Sequence, residues 1–139
     1  MAKHVVIPAR YASSRLPGKP LALINGVPMI VHVAALASNT MADDVVVAVD
    51  DQRVLDVVAN AGYQGVMTRA DHPSGSDRVM QVAGEMGWGD EDLVINIQGD
   101  EPMLPPQIVD DLFKAMVARA DIEMATLSEP ITNRRVFLD

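Results

Sequence analysis

Three cations, two serines and a glycine fall within Pro8-Ala9-Arg10-Tyr11-Ala12-Ser13-Ser14-Arg15-Leu16-Pro17-Gly18-Lys19-Pro20, directly after the apolar run Val5-Val6-Ile7. Prolines at 8, 17 and 20 interrupt helix and strand alike, so the spacing predicts a stiffened loop leaving the end of a buried strand. Arg grips phosphate oxygens with two parallel hydrogen bonds and Lys acts as a mobile point charge. Arg10, Arg15 and Lys19 therefore suit a compact polyanion such as a nucleoside triphosphate. Preorganised cations there would stabilise charge moving onto a pyrophosphate leaving group. Gly18 lets backbone N–H groups approach, and Ser13 and Ser14 add donors. A solvated basic loop has the same composition, but the whole chain carries a formal charge of −8, and a cationic stretch against that background points to a ligand. The glycine spacing ahead of Lys19, and the Pro after it, differ from a P-loop.

A second cluster is Ile95-Asn96-Ile97-Gln98-Gly99-Asp100-Glu101-Pro102. An apolar strand delivers Gln98, a hinge glycine and then Asp100 into a loop. A single carboxylate can hold Mg²⁺, which keeps several waters and takes phosphate oxygens as further ligands. Taken alone, Asp100 and Glu101 read first as a solvated turn; on one sheet edge with Arg15 and Lys19, Asp100 reads as a metal ligand. The third cluster runs from Met67 to Arg78 (MTRADHPSGSDR). It follows the third strand and runs into a helix, so its small polar residues could meet a base or phosphate at the helix N-terminus. Ser76 or Asp77 can equally be an N-cap. His72 reads as a loop residue and His32 as a packing residue in an apolar helix. Asp50 and Asp51 read chiefly as helix caps.

These clusters need a scaffold, and the hydrophobic pattern supplies one. Strands are predicted at Val5–Pro8, Asp44–Val49, Gly65–Thr68, within Asp92–Gln98 (Leu93 to Ile97) and at Met124–Leu127. Helices are predicted from Pro28 toward Asn39, over Gln52–Ala61 between an Asp51 cap and Gly62, from Ser76 or Asp77 to Gly87, and from Pro105-Pro106 to about Arg119. The βαβαβαβαβ order implies an α/β fold, a mostly parallel sheet with helices on both faces. Ligands of such sheets bind beyond the carboxyl ends of the strands, which puts the first and second clusters on one edge. No closing strand or helix is expected around Arg134-Arg135-Val136-Phe137-Leu138-Asp139, and the domain is expected to continue beyond it.

Composition narrows the partner. The 139 residues fit one domain, with 49% hydrophobic residues and no Cys, so neither disulfides nor thiolate chemistry are available. The mean hydropathy is +0.14 and the pI about 4.7, which argues against duplex nucleic acid, whose binding rests on many phosphate contacts. No apolar run approaches the roughly 20 residues of a membrane helix. Met1-Ala2-Lys3-His4 leads straight into a strand with no room for a signal peptide. A cytoplasmic protein with a small-molecule partner is expected, with neither nucleic acid nor membrane involved.

PARYASSRLPGKP from Pro8 to Pro20, MTRADHPSGSDR from Met67 to Arg78 and NIQGDEPM from Asn96 to Met103 together resemble the 3-deoxy-manno-octulosonate (Kdo) cytidylyltransferases of Gram-negative bacteria. The resemblance spans essentially the whole chain. It implies a Rossmann-like nucleotidyltransferase fold and transfer of CMP from CTP to Kdo with release of pyrophosphate, for lipopolysaccharide biosynthesis. It also implies nucleotide contacts from Pro8, Arg10, Ser13, Arg15, Lys19, Ser74, Gly75, Ser76 and Gln98. Arg10, Arg15 and Lys19 would serve the chemistry and Asp100 would bind Mg²⁺. Family members are roughly twice as long. Residues 1–139 are thus expected to be the nucleotide-binding part of a truncated domain, inactive or nearly so without the sugar-binding and dimerisation part of a homodimeric full-length protein. A cytidylyltransferase for another acidic sugar and a non-catalytic nucleotide-binding module are the alternatives. The absence of Gly-x-Gly-x-x-Gly after the first strand sets aside a dinucleotide-binding oxidoreductase.

Overall fold

The computed structural model describes residues 2–11, 18–69, 75–89, 91–99, 101–118 and 136–137. In chain order these form β1 (Lys3–Ala9), a 3-10 turn (Lys19–Leu21), β2 (Leu23–Ile24), β3 (Val27–Pro28), α1 (Met29–Ser38), β4 (Asp44–Val49) and α2 (Gln52–Asn60). Then come β5 (Gln64–Met67), α3 (Gly75–Glu85), β6 (Leu93–Asn96), α4 (Pro106–Ala118) and β7 (Val136–Phe137).

The main sheet has the order β5-β4-β1-β6-β7, and every pairing in it is parallel. Val5, Val6 and Ile7 of β1, Val46 and Val47 of β4, and Val94 and Ile95 of β6 are fully buried. Buried on both faces, these strands read as continuous apolar runs rather than alternating ones. The faces are covered separately. The Pro8 side chain lies against the start of α3, whereas Ala9, pointing the other way, shares its surroundings with Ile30 of α1. The helices α2 and α4 both pack beside α1. The expected fold class is therefore the observed one.

Local chemistry accounts for the element ends. Asp51 caps α2 by accepting from the Arg53 N–H at 2.8 Å, and Gly62, at φ +90°, turns the chain out of that helix, as predicted. The hairpin β2–β3 is an addition to the predicted elements. Its turn places Asn25 and Gly26 at φ 53° and 79°, the consecutive left-handed pair that an Asn-Gly hairpin turn requires. The hairpin explains why α1 begins at Met29 and not at Pro28, which pairs with Leu23. His32 is the packing residue expected of it: Nε2 lies 2.7 Å from the Ile24 carbonyl oxygen, fastening α1 to the hairpin.

At the amino ends of the strands, His4 is buried between two carboxylates and a ring. Nδ1 is hydrogen-bonded to Asp44, and Nε2 lies 3.1 Å from Asp92 Oδ2. Its ring stacks on Trp88 at 3.8 Å between centroids and 10° between planes.

Two expectations change. The first strand runs one residue past the predicted Pro8, with Ala9 paired to Val49, so the cationic loop starts at Arg10. Val136–Phe137 forms a short strand beside Val94 and Ile95 of β6, where no closing strand was expected; two residues are too few to carry a periodic signal. The strand predicted at Met124–Leu127 lies outside the described residues.

Candidate active site

The chain leaves β1 for β4 and β5 on one side, then returns through α3 to β6 on the other. Neighbouring connections thus diverge between β1 and β6 and open a crevice at the carboxyl ends of those strands, where open α/β sheets bind ligands. All three sequence clusters send residues there. The Gly99 N–H donates to the Pro8 carbonyl at 3.3 Å, and the Ile97 N–H to the Val6 carbonyl at 3.0 Å, joining the first cluster to the second. Gly75 opens α3 directly over them. A Cβ built on it would lie 3.2 Å from Pro8 Cγ and 3.3 Å from Gln98 Nε2, and one on Gly99 would lie 3.0 Å from the Pro8 oxygen. Glycine at 75 and 99 therefore lets the three segments close to contact distance.

Arg10 is exposed two residues beyond Pro8, while Lys19, Ser76 and Gln98 are half-buried. The first cluster closes on itself: the Gly18 N–H donates to the Tyr11 carbonyl at 2.7 Å, so the backbone at Lys19 returns beside that at Arg10. Gly18 adopts φ +79° there. Of the predicted site residues, the structure brings together Pro8, Gly75 and Gln98 and sets Arg10, Lys19 and Ser76 on adjoining backbone. Ser13, Arg15, Ser74 and Asp100 lie outside the described residues, as does His72.

A second layer holds these segments in place. The Tyr11 N–H donates to Asp50 Oδ1 at 2.9 Å. Arg78, fully buried in the first turns of α3, reaches Thr68 Oγ1 and the Arg69 carbonyl, the latter at 2.8 Å. One of its nitrogens lies 3.9 Å from Asp50 Oδ2. Asp50 is thus not the helix cap the sequence suggested but a junction between the first cluster and the third. Two adjacent aspartates at a strand end cannot be told apart by spacing; only the sheet shows which one turns toward Tyr11. Arg78, in the third cluster, escapes sequence reasoning altogether, because nothing in the pattern marks an arginine as buried.

Outside this layer, Asp51 and Arg53 pair through two side-chain hydrogen bonds of 2.9 and 2.8 Å. The Arg53 side chain and backbone N–H hold the Asp51 carboxyl down at about 2, and the same pairing raises the Arg53 guanidinium.

The described residues contain no group of three or more His, Cys, Asp or Glu able to hold a metal ion. Mg²⁺ needs only one or two protein carboxylates when phosphate oxygens complete its shell, and Asp100, the carboxylate expected to bind it, lies outside the described residues. Gly99, its neighbour in the sequence, is hydrogen-bonded to Pro8.

The sequence profile of the cytidylyltransferases matches residues 4–139. The chain belongs to the cytidylyltransferase family. It is 50% identical over its full length to the 3-deoxy-manno-octulosonate cytidylyltransferase of Thioalkalivibrio sulfidiphilus, covering 56% of that protein. It is 51% identical to the enzyme of the same name from a Psychrobacter species over 136 residues, which make up 97% of this chain and 50% of the relative. Among solved structures, CMP:2-keto-3-deoxy-manno-octonic acid synthetase complexed with CTP superposes with a TM-score of 0.85 at 43% identity, over 91% of this chain and 52% of that one. A cytidylyltransferase from Leptospira borgpetersenii, at 19% identity and a TM-score of 0.75 over 91% of this chain and 54% of that one, shares the fold. The chain spans about half the length of the curated relatives it matches.

Proposed function

We propose that this chain provides the CTP-binding part of an enzyme that transfers CMP from CTP to Kdo, giving CMP-Kdo and pyrophosphate. The observation that carries the reading is the convergence of Pro8, Gly75 and Gln98 at the β1–β6 crevice, in a chain whose relatives, about twice its length, bear that name. In the transfer, the anomeric hydroxyl of Kdo attacks the α-phosphorus of CTP in line. One P–O bond to the sugar forms, the bond to pyrophosphate breaks, and the hydroxyl proton departs.

Arg10, Arg15 and Lys19 bind the triphosphate and offset the charge that builds on the leaving group. Ser13 adds a donor to the phosphates. Ser74, Gly75 and Ser76 lie by the cytidine, where the N-terminus of α3 presents N–H groups, and Gln98 stands between nucleotide and sugar. Asp100 would hold Mg²⁺, which supplies a Lewis acid to neutralise phosphate oxygens. Direct transfer agrees with a chain that has no cysteine. The described residues include no helix long and apolar enough to cross a membrane; a cytoplasmic setting and a homodimeric full-length protein complete the reading.

Calorimetric titration with CTP and Mg²⁺, with UTP and ATP as controls and circular dichroism to verify folding, tests it. Selective CTP binding is expected. A folded chain that shows no preference for CTP would overturn the assignment, and pyrophosphate release by the full-length protein with Kdo against other acidic sugars tests the acceptor.

A further inference from the structure

One residue holds both ends of the cationic loop, and a side chain far from the three clusters holds that residue. Tyr11 accepts from the Gly18 N–H at 2.7 Å and donates its own N–H to Asp50 at 2.9 Å. Its ring lies against Gly18, where a Cβ would come within 3.4 Å of Cε2 and the hydroxyl oxygen and 3.5 Å of Cζ. The guanidinium of Arg53, on α2, sits 3.7 Å over the centroid of the same ring. Arg53 is in turn gripped by Asp51 through its side-chain Nε and Nη2 and its backbone N–H. Arg10 precedes Tyr11 and Lys19 follows Gly18, so the footing of both cations depends on how Tyr11 is seated.

We propose that Arg53, stacked on Tyr11 and anchored by Asp51, is a positioning residue that sets Arg10 and Lys19 for the triphosphate. The inference rests on the CTP-binding reading above. Arg53 acts on the two cations through Tyr11 and not by direct attraction to the phosphates, because its guanidinium is paired with Asp51 by two hydrogen bonds and lies over the Tyr11 ring. A planar guanidinium suits both contacts, since one edge matches a carboxylate while the face covers a ring, which an ammonium group cannot do. The Asp51 carboxyl, held at about 2, keeps the anchor charged throughout the pH range of any assay.

The test compares the wild-type chain with Arg53→Ala, Arg53→Lys, Tyr11→Leu and Tyr11→Phe. Amide hydrogen exchange reports on the clasp without ligand, and calorimetry with Mg²⁺ reports on CTP and CMP. A cation–π contact at an exposed site corresponds to about a two- to five-fold effect. Arg53→Ala is expected to speed exchange at Tyr11 and Gly18 by that factor, with core amides such as Val46 and Val47 unchanged. It is also expected to weaken CTP two- to five-fold while CMP binding stays the same. Tyr11→Leu should match or exceed that effect, Arg53→Lys should recover little, and Tyr11→Phe, which keeps the ring face and loses only the hydroxyl's contact with Arg53, should lose less than Tyr11→Leu.

A general destabilisation would not separate CTP from CMP. Unchanged exchange at Tyr11 and Gly18 overturns the clasp whatever happens to the nucleotide. Faster exchange with unchanged CTP affinity overturns the positioning role. A wild-type chain that fails to bind CTP overturns the functional reading and the positioning role together, while the exchange result still judges the clasp.

Discussion

Replacing His4 by Ala removes two hydrogen bonds to carboxylates and one stacked ring at the amino edge of the sheet. A hydrogen bond to a charged group contributes about 1.5–3 kcal/mol and a stacked aromatic pair about 0.5–1.5 kcal/mol. The side chains of Asp44 and Asp92 remain 35% and 21% exposed, so water replaces His4 at both and the lower end of the first range, or less, applies. The sum is a loss of about 3 kcal/mol, equivalent to a fall of about 10 °C in Tm for a chain of this size. His4→Phe, which keeps a ring against Trp88, should lose about 2 kcal/mol.

Urea unfolding at pH 6, followed by far-UV circular dichroism and by the fluorescence of Trp88, the sole tryptophan, measures both variants. The pH dependence has a definite sign. Burial pushes the Asp92 carboxyl up, but hydrogen bonds from His4, Gly89 and Ala2 outweigh it and hold the group below its ordinary value of 3.8. Its contribution is therefore present above that value and lost as pH falls through the lower folded one. The gap between wild type and His4→Ala should hold from pH 6 to 5 and shrink below about pH 4. A gap under about 1 kcal/mol at pH 6, less than one such hydrogen bond, or one that persists unchanged at pH 2.5, would refute the reasoning.

Three further outcomes are expected. Gly99→Ala forces a Cβ to 3.0 Å from the Pro8 oxygen, a backbone atom that cannot swing aside; it should cost about 1–3 kcal/mol in urea unfolding, as overpacking does, and weaken CTP binding. Lys19→Ala should reduce CTP affinity about ten-fold, the loss of one charge-assisted contact, while leaving CMP affinity nearly unchanged; equal loss for both nucleotides would remove Lys19 from the triphosphate. Chelating Mg²⁺ should weaken CTP binding to the wild-type chain and have little effect on Asp100→Asn, with calorimetry in the presence and absence of EDTA as the measurement. A full response to EDTA in the variant would exclude Asp100 as a ligand.

Much of this is legible in the residues because local signals are strong where they are chemical. The Val5-Val6-Ile7 and Leu93-Val94-Ile95 runs announce buried parallel strands, Asp51 and Gly62 bracket α2, and the three clusters carry their residue types whatever their neighbours. The hairpin at Asn25-Gly26 is harder to see, since two-residue strands leave only the turn as a signal. The two-residue strand at Val136–Phe137 has no period to detect.

What sequence alone determined is the inventory: an α/β chain, cationic at one strand end, with a candidate metal carboxylate at another and small residues at a helix start. Which side chains meet was decided by the sheet. The order β5-β4-β1-β6-β7 puts Pro8, Gly75 and Gln98 in contact although they lie far apart in the chain. It also turns Asp50 toward Tyr11 and Arg78, and closes two carboxylates and an indole around His4. The physical reason is that these contacts depend on strand order and on which face of a strand or helix a residue occupies, and both are set by packing the whole core.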